Sequence, residues 1–532
     1  MFKAAEVQTS SDSAVRSLAL AASLHLRGKQ AEALEELDRA ESKASNDDLV
    51  EICAARGVIQ AELGQFEHAA ASYARLAELL PKDAGVRYRL GLCYQNLGRY
   101  VEALKSFRDS ANLGEADPKV KLSAGACLLH LNEASEAGAM FDRVLGQHPE
   151  SEEAQFGKAV ALQMNWELEE ASKLYQKIVD ANPKAEDSLT NLISLALQQK
   201  DFSAAENWSR KLLDVHPNST AALTGLASSA FAYGNFAAAS EHGAKLAEVA
   251  PDVYDHWFNL GVALQKQSKF AEAADAYARA AAIRPEAAFA HINMAVACRE
   301  LGDWNRARPA MEHAIEADPQ REDLKLELAS IVEHQGFLDT AESQYASLVH
   351  ANPDLEQAWF RLGYVRLERE NYEGAIEAFE KCLEKRPDWP EAELNLSLAH
   401  TKLKQYDRAE AVLSGLAARD SKSAEALHGL AAIAMERGDK QKALAHHLAL
   451  VNAGAPSAEI FYNAALLSQD LNQADQAVGL YRSALEMRPD FPEALSNLGH
   501  ALQSMGKGEE ARDCWVEALE KKPELARGYF LR

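Results

Sequence analysis

Prolines fall at Pro149, Pro183, Pro217, Pro251, Pro285, Pro319 and Pro353, each 34 residues after the one before. So strict a period constrains the chain more than its composition does. Each period must be one supersecondary unit that hides its apolar face only by stacking on copies of itself. Carrying the register both ways sets unit starts at Val50, Ala84, Pro118 and onward to Pro492, with an earlier, two-residue-longer unit from about Ala14. Fifteen units then occupy residues 14–525. Residues 1–13 read as a polar leader, and 526–532 as a short cap or the start of a sixteenth unit, with Leu525, Tyr529 and Leu531 as its packing residues.

The same chemistry returns inside every unit. The twentieth position is Ala throughout, from Ala33 and Ala69 to Ala477 and Ala511. Only a methyl fits where two helices cross closely, so this column predicts a helix–helix contact. The eighth position is Gly, Ala or Ser in every unit but the one carrying Ile193. Two apolar-periodic segments of about a dozen residues, split by turns such as Leu97-Gly98-Arg99, predict two helices per unit, and nothing requires a strand. One unit is irregular: Gly243 stands where others carry Tyr or Phe, which predicts thin packing there, read either as a hinge or as a tolerated weak unit.

Trp257, Leu260, Gly261, Leu264, Ala273, Tyr277 and Pro285 spell the pattern W-x2-L-G…A-x3-Y…P, and Trp359, Leu362, Gly363, Ala375, Phe379 and Pro387 spell it again. The chain therefore resembles the tetratricopeptide repeat (TPR) family, whose period is 34 residues. The resemblance implies an all-α fold, a right-handed TPR superhelix or α-solenoid of about fifteen helix-turn-helix repeats. It also implies a non-catalytic scaffold for protein–protein interaction, with the first helices of successive units lining a groove.

Composition agrees by exclusion. Apolar residues are 47% and charged residues 26%, which rules out a disordered chain. With 80 Asp+Glu against 56 Lys+Arg the net charge is −24, contrary to the clustered cations that nucleic acid requires. No apolar run reaches signal-peptide or membrane-span length, and six scattered cysteines without a CxxC pair read as reduced and mostly buried. The expectation is a cytoplasmic protein with no membrane partner. Phosphate-loop, nucleophile-elbow and zinc-helix motifs are all missing, so no catalytic residue, metal or cofactor is assigned.

Candidate contact residues come from the face that the resemblance assigns to the groove. The sixth position is Asn191, Asn259, Asn293, Asn395, Asn463 and Asn497 in six units. An amide both donates and accepts, so stacked copies can hold an extended main chain without reading its side chains. This is similar to the asparagine ladder in the TPR region of O-linked N-acetylglucosamine transferases, interrupted here by Gly225, Glu327, Arg361 and Gly429. The alternative is that Asn is common before Leu-Gly in such repeats. The fifth position supplies Tyr88, Phe156, Phe258, Ile292, Phe360 and Tyr462, either as anchors for a partner or as packing between first helices. Phe258, Asn259, Ile292, Asn293 and Phe360 form the central candidate patch, extended by Asn395, Tyr462, Asn463 and Asn497.

The second position is acidic at Glu51, Glu153, Asp187, Asp255, Asp323, Glu391, Glu425, Glu459 and Glu493. Either these acids favour a basic protein or peptide partner, or they offset the helix dipole. A clamp for a C-terminal carboxylate is set aside, because no unit has Lys at position five or Asn at position nine. Trp166, Trp208 and Trp389 fall outside the usual aromatic positions, marking either an edge-facing interface or packing on loops. Two further readings stand beside the scaffold. One is a substrate-recognition subunit of an enzyme complex, such as a transferase. The other is a structural protein that assembles with itself, against the expectation of a monomer or weak self-association.

Overall fold

A computed structural model describes residues 15–42, 44–114 and 117–526. The leader, Tyr529 and Leu531 lie outside the described residues, whereas Pro523–Leu525 forms a short 3-10 turn. The described residues are helical throughout, two helices to a unit. First helices such as Ala84–Asn96 and Glu152–Met164 occupy unit positions 1–13, and second helices such as Tyr100–Leu113 and Leu168–Ala181 occupy positions 17–30. Packing divides the chain into two compact units, up to Ser268 and from Lys269 onward.

Local chemistry starts and stops each helix. Ser and Asp side chains cap first helices, as Asp83 accepts from the Val86 N–H and Ser219 from the Ala222 N–H. Asp and Asn do the same for second helices, as at Asp201, Asn235 and Asn371. Such caps satisfy donors that a helix start leaves orphaned. Between the two helices one residue adopts a left-handed conformation, whether Gly98 (φ 71°) or Trp166 (φ 65°). The tryptophan there carries a strain that glycine avoids.

The columns have physical causes. The twentieth-position alanines are buried, all at 0% exposure save Ala239 at 3%, in the same unit as Gly243. At four units the proline that follows the second helix does more than end it, because its carbonyl accepts a hydrogen bond from position four of the next unit. Trp257 Nε1 donates to Pro251 O at 2.9 Å, Trp359 Nε1 to Pro353 O at 3.0 Å and Gln155 Nε2 to Pro149 O at 2.6 Å. Glutamines tie neighbouring units at the turn: Gln267 Nε2 donates to Phe236 O at 2.8 Å and Gln335 Nε2 to Trp304 O at 3.1 Å.

Beneath the first helices runs a column of large side chains at position twenty-four. Phe379 is fully buried, and a Cβ added to Gly363 at position eight would lie 2.8 Å from its ring. The small eighth residue therefore makes room for the ring. The unit that breaks the small-residue rule breaks the other column too: Ile193 at position eight faces Ser209 at position twenty-four, both buried. Bulk has moved from one helix to the other, and the floor stays filled.

Candidate functional site

Position twenty-four also decides what the candidate asparagines do. A tyrosine there buries its ring and must find partners for its hydroxyl. Tyr175 Oη donates to Gln163 Oε1 at 3.1 Å and accepts from Asn191 Nδ2 at 3.0 Å. Burial pushes the Tyr175 phenol well above its ordinary range, and Asn191 partly offsets this. Tyr345 Oη donates to Glu333 Oε2 at 2.7 Å, and Arg361 Nη1 reaches Glu333 Oε1 at 3.3 Å. Tyr481 Oη donates to Gln469 Oε1 at 3.0 Å. Asn497 Nδ2 donates to the hydroxyl of another tyrosine, Tyr462, at 3.0 Å. Asn191 and Asn497 thus have internal partners, while Asn259 and Asn463 are exposed and Asn293 and Asn395 half-buried.

The fifth-position residues are half-buried, with rings against rings. Phe258 stacks on Tyr254 (centroids 5.5 Å apart, planes at 16°). Phe360 stacks on Trp389 at 4.5 Å and meets the edge of Phe379 at 6.0 Å. Tyr462 lies 4.8 Å from Phe491 and 5.9 Å from Tyr481. Ile292 is half-buried in its first helix, Ala288–Glu300. Phe258 and Asn259 belong to the first compact unit. Ile292, Asn293, Phe360, Asn395, Tyr462, Asn463 and Asn497 belong to the second.

The position-two acids are not uniform. Asp323 binds Arg321 at 2.5 Å, Glu459 binds Arg488 at 2.6 Å and Glu493 binds Lys522 at 2.6 Å. The Arg321 guanidinium holds the Asp323 carboxyl below its ordinary range, and the Lys522 ammonium does the same for Glu493. Glu459 is lowered first by a backbone hydrogen bond and then by Arg488. These exposed pairs neutralise part of the negative track while adding little stability.

The off-pattern tryptophans separate. Trp166 is 74% exposed. Trp208 is half-buried under Lys211 (4.3 Å to its ring), and Trp389 is half-buried between Phe360 and Arg386 (4.6 Å to its ring). Trp389, Arg361 and Glu333 escaped selection by column because each departs from its column's usual residue. The available signal was Trp389 between two prolines, one residue before helix Pro390–Lys402. Among the described residues no three metal-ligating side chains come together, and no helix is long and apolar enough to cross a membrane.

Comparison with known proteins agrees with this architecture. A family model described as tetratricopeptide repeat matches residues 55–120, 124–186, 224–288, 292–356 and 335–390. Others of the same description match 366–433 and 493–522, and one described as TPR repeat matches 469–506. No curated protein matches the chain. Among solved structures it is similar to the C-terminal part of a TPR repeat-containing protein from Cytophaga hutchinsonii (19% identity, 45% of this chain and 99% of that one, TM-score 0.41). It is also similar to a tetratricopeptide repeat protein from Parabacteroides merdae (17%, 47% and 98%, TM-score 0.35). A third is a chain of the APC/C hetero-tetramer Cut9–Hcn1 (13%, 89% and 94%, TM-score 0.30). With its repeat units laid out helix by helix and one family model matching more than half of its residues, the chain belongs to the tetratricopeptide repeat family.

Proposed function

We propose that the chain is a non-catalytic protein-interaction scaffold that holds an extended segment of a partner protein along its first-helix face. The observation that carries this reading is the exposure of the Asn259 and Asn463 amides, each next in sequence to a half-buried ring, Phe258 or Tyr462. Amides that both donate and accept suit a main chain, and half-buried rings beside them suit its side chains. The position-two carboxylates favour basic or amine-bearing residues in that segment, less so at the ion-paired Asp323, Glu459 and Glu493.

Site-specific photocrosslinking tests the assignment. Benzoylphenylalanine placed at 259, or separately at 463, is expected to capture a partner segment from cell extract. The same group at Glu241, exposed on the second helix Phe236–Val249, is expected to capture none of it. Capture from 241 alone would remove the first-helix face from consideration.

A further inference from the structure

A cavity of about 250 Å³ opens between the first helices Glu322–His334 and Glu356–Glu368 and the loop residue Trp389, which precedes helix Pro390–Lys402; its walls include Leu326, Glu327, Gln357, Phe360 and Arg361. We propose that it receives one aromatic side chain of the extended partner segment, with that residue's main-chain carbonyl accepting from the Arg361 guanidinium. The proposal rests on the first-helix-face reading above and names the anchor that reading lacks.

Three observations identify the guest. The volume is below the roughly 300–1,000 Å³ of pockets for whole small ligands, so one side chain fills the space better than a cofactor does. One wall is a ring pair, Phe360 stacked on Trp389 at 4.5 Å with planes at 20°, and Arg386 lies 4.6 Å from the Trp389 ring centre. Both rings are half-buried, and rings take other rings by offset or edge contact.

The remaining lining is polar at Glu327, Gln357 and Arg361, and both Glu327 and the buried Glu333 that Arg361 reaches are already engaged. Glu327 is paired with Arg299. Glu333, whose side chain is 8% exposed, accepts from both Tyr345 Oη and Arg361. Because Arg299 already offsets the charge of Glu327 and Arg361 that of Glu333, a Lys or Arg guest gains less there than beside an unpaired carboxylate. Arg361 has five N–H donors, and its bond to Glu333 uses one of them. Its side chain lines the cavity and is 40% exposed, which leaves donors for a guest, and the neighbouring carboxylate balances its charge. A neutral carbonyl suits it better than a second carboxylate does. An aromatic residue in an extended chain supplies both the ring and the carbonyl.

The probe is N-acetyl-4-fluorophenylalanine amide, titrated with the full chain and followed by fluorine NMR line broadening. Broadening is expected to fall at least fivefold in Trp389→Leu and Phe360→Leu, and at least twofold in Arg361→Gln. Trp389→Phe, which restores a ring, is expected to retain it, so loss in the leucine variant alone cannot be ascribed to misfolding. Unlabelled N-acetylphenylalanine amide is expected to displace the probe, and N-acetyllysine amide at equal concentration to leave it bound. Equal broadening by the wild type and Trp389→Leu, or equal displacement by the lysine amide, would overturn the proposal. Crosslinks at 259 and 463 report separately: if they form while the probe ignores the Trp389 and Phe360 variants, the cavity assignment alone falls.

Discussion

Gly243 and Gly225 both sit in helix interiors on the buried floor, and the structure predicts opposite results when each becomes alanine. In any helix the replacement gains about 0.5–1 kcal/mol, because glycine loses the most backbone freedom on folding. At Gly243 the new methyl would meet only Leu260, at 3.6–3.7 Å, which is ordinary contact. It also hides a methyl worth about 0.8 kcal/mol, so Gly243→Ala should stabilise by about 1.5 kcal/mol. At Gly225 the methyl would collide with Ser209 Oγ and lie 2.8 Å from Ile193 Cγ2. Overpacking of that kind costs about 1–3 kcal/mol and outweighs the helix gain, leaving a net loss of about 1 kcal/mol. A repeat array does not unfold as one two-state unit, so the measurement is amide exchange in helices Thr220–Ala232 and Phe236–Val249. Gly243→Ala should slow exchange there about tenfold, since 1.4 kcal/mol is a factor of ten. Gly225→Ala should speed it severalfold. Ser209 Oγ is buried with no hydrogen-bond partner, so Ser209→Ala should recover part of the Gly225→Ala loss. Slower exchange in Gly225→Ala, or faster exchange in Gly243→Ala, would refute the account of how the floor is filled.

Trp166→Gly removes a left-handed tryptophan that is 74% exposed, and is expected to stabilise the adjoining helices by about 0.5–1 kcal/mol in urea titrations. Asn191→Ala withdraws a donor from the buried Tyr175 hydroxyl and is expected to cost about 1 kcal/mol; in a double-mutant cycle most of that loss disappears on a Tyr175→Phe background. His447 is buried with Nδ1 unpartnered, and burial, then His428 and His446, hold its pKa below the ordinary histidine value of 6.5. Between the lowered folded value and 6.5 the unfolded chain binds the extra proton, so stability is full above 6.5 and is lost as pH falls through the folded value. His447→Phe should reduce this dependence, read as a smaller difference in melting between pH 5 and 7.5 for helices Ala424–Glu436 and Lys440–Asn452, the remainder coming from His446.

The architecture was legible because stacking imposes single-residue columns, and a column repeated down the chain survives any one exception. Helix bounds, turns and the buried alanines all follow from it. What a column cannot reveal is pairing between columns of adjacent units. Each tyrosine at position twenty-four (Tyr73, Tyr175, Tyr277, Tyr345, Tyr481) is followed in the next unit by Arg89, Asn191, Asn293, Arg361 or Asn497 at position six. That correlation is present in the sequence, but it acquires meaning only when Tyr175 is seen bonded to Asn191. The Ile193–Ser209 exchange is likewise two anomalies in sequence and one packing solution in space. Trp389 stands out in the sequence by its place between two prolines, yet its stack on Phe360 emerges only in the structure.

These pairings narrow where recognition can reside. Positions eight, twenty and twenty-four are consumed by stacking, and changes there act first on stability. Position six divides: where a tyrosine hydroxyl lies beneath it, as at Asn191, its amide is partly spent on the fold. At Asn259 the underlying residue is Gly243, and at Asn463 it is His447, so neither amide has a phenol to serve. Two departures from the aromatic column, Gly243 and His447, thus precede the two exposed position-six amides, Asn259 and Asn463. Sites that violate local rules are often where a fold trades stability for contact. The acidic second position adds less than the net charge of −24 suggests, since Asp323, Glu459 and Glu493 are already ion-paired and exposed charges are screened within about 8–10 Å. On the proposed reading, affinity comes chiefly from apolar contact, which places its weight on the Phe360–Trp389 wall of the cavity.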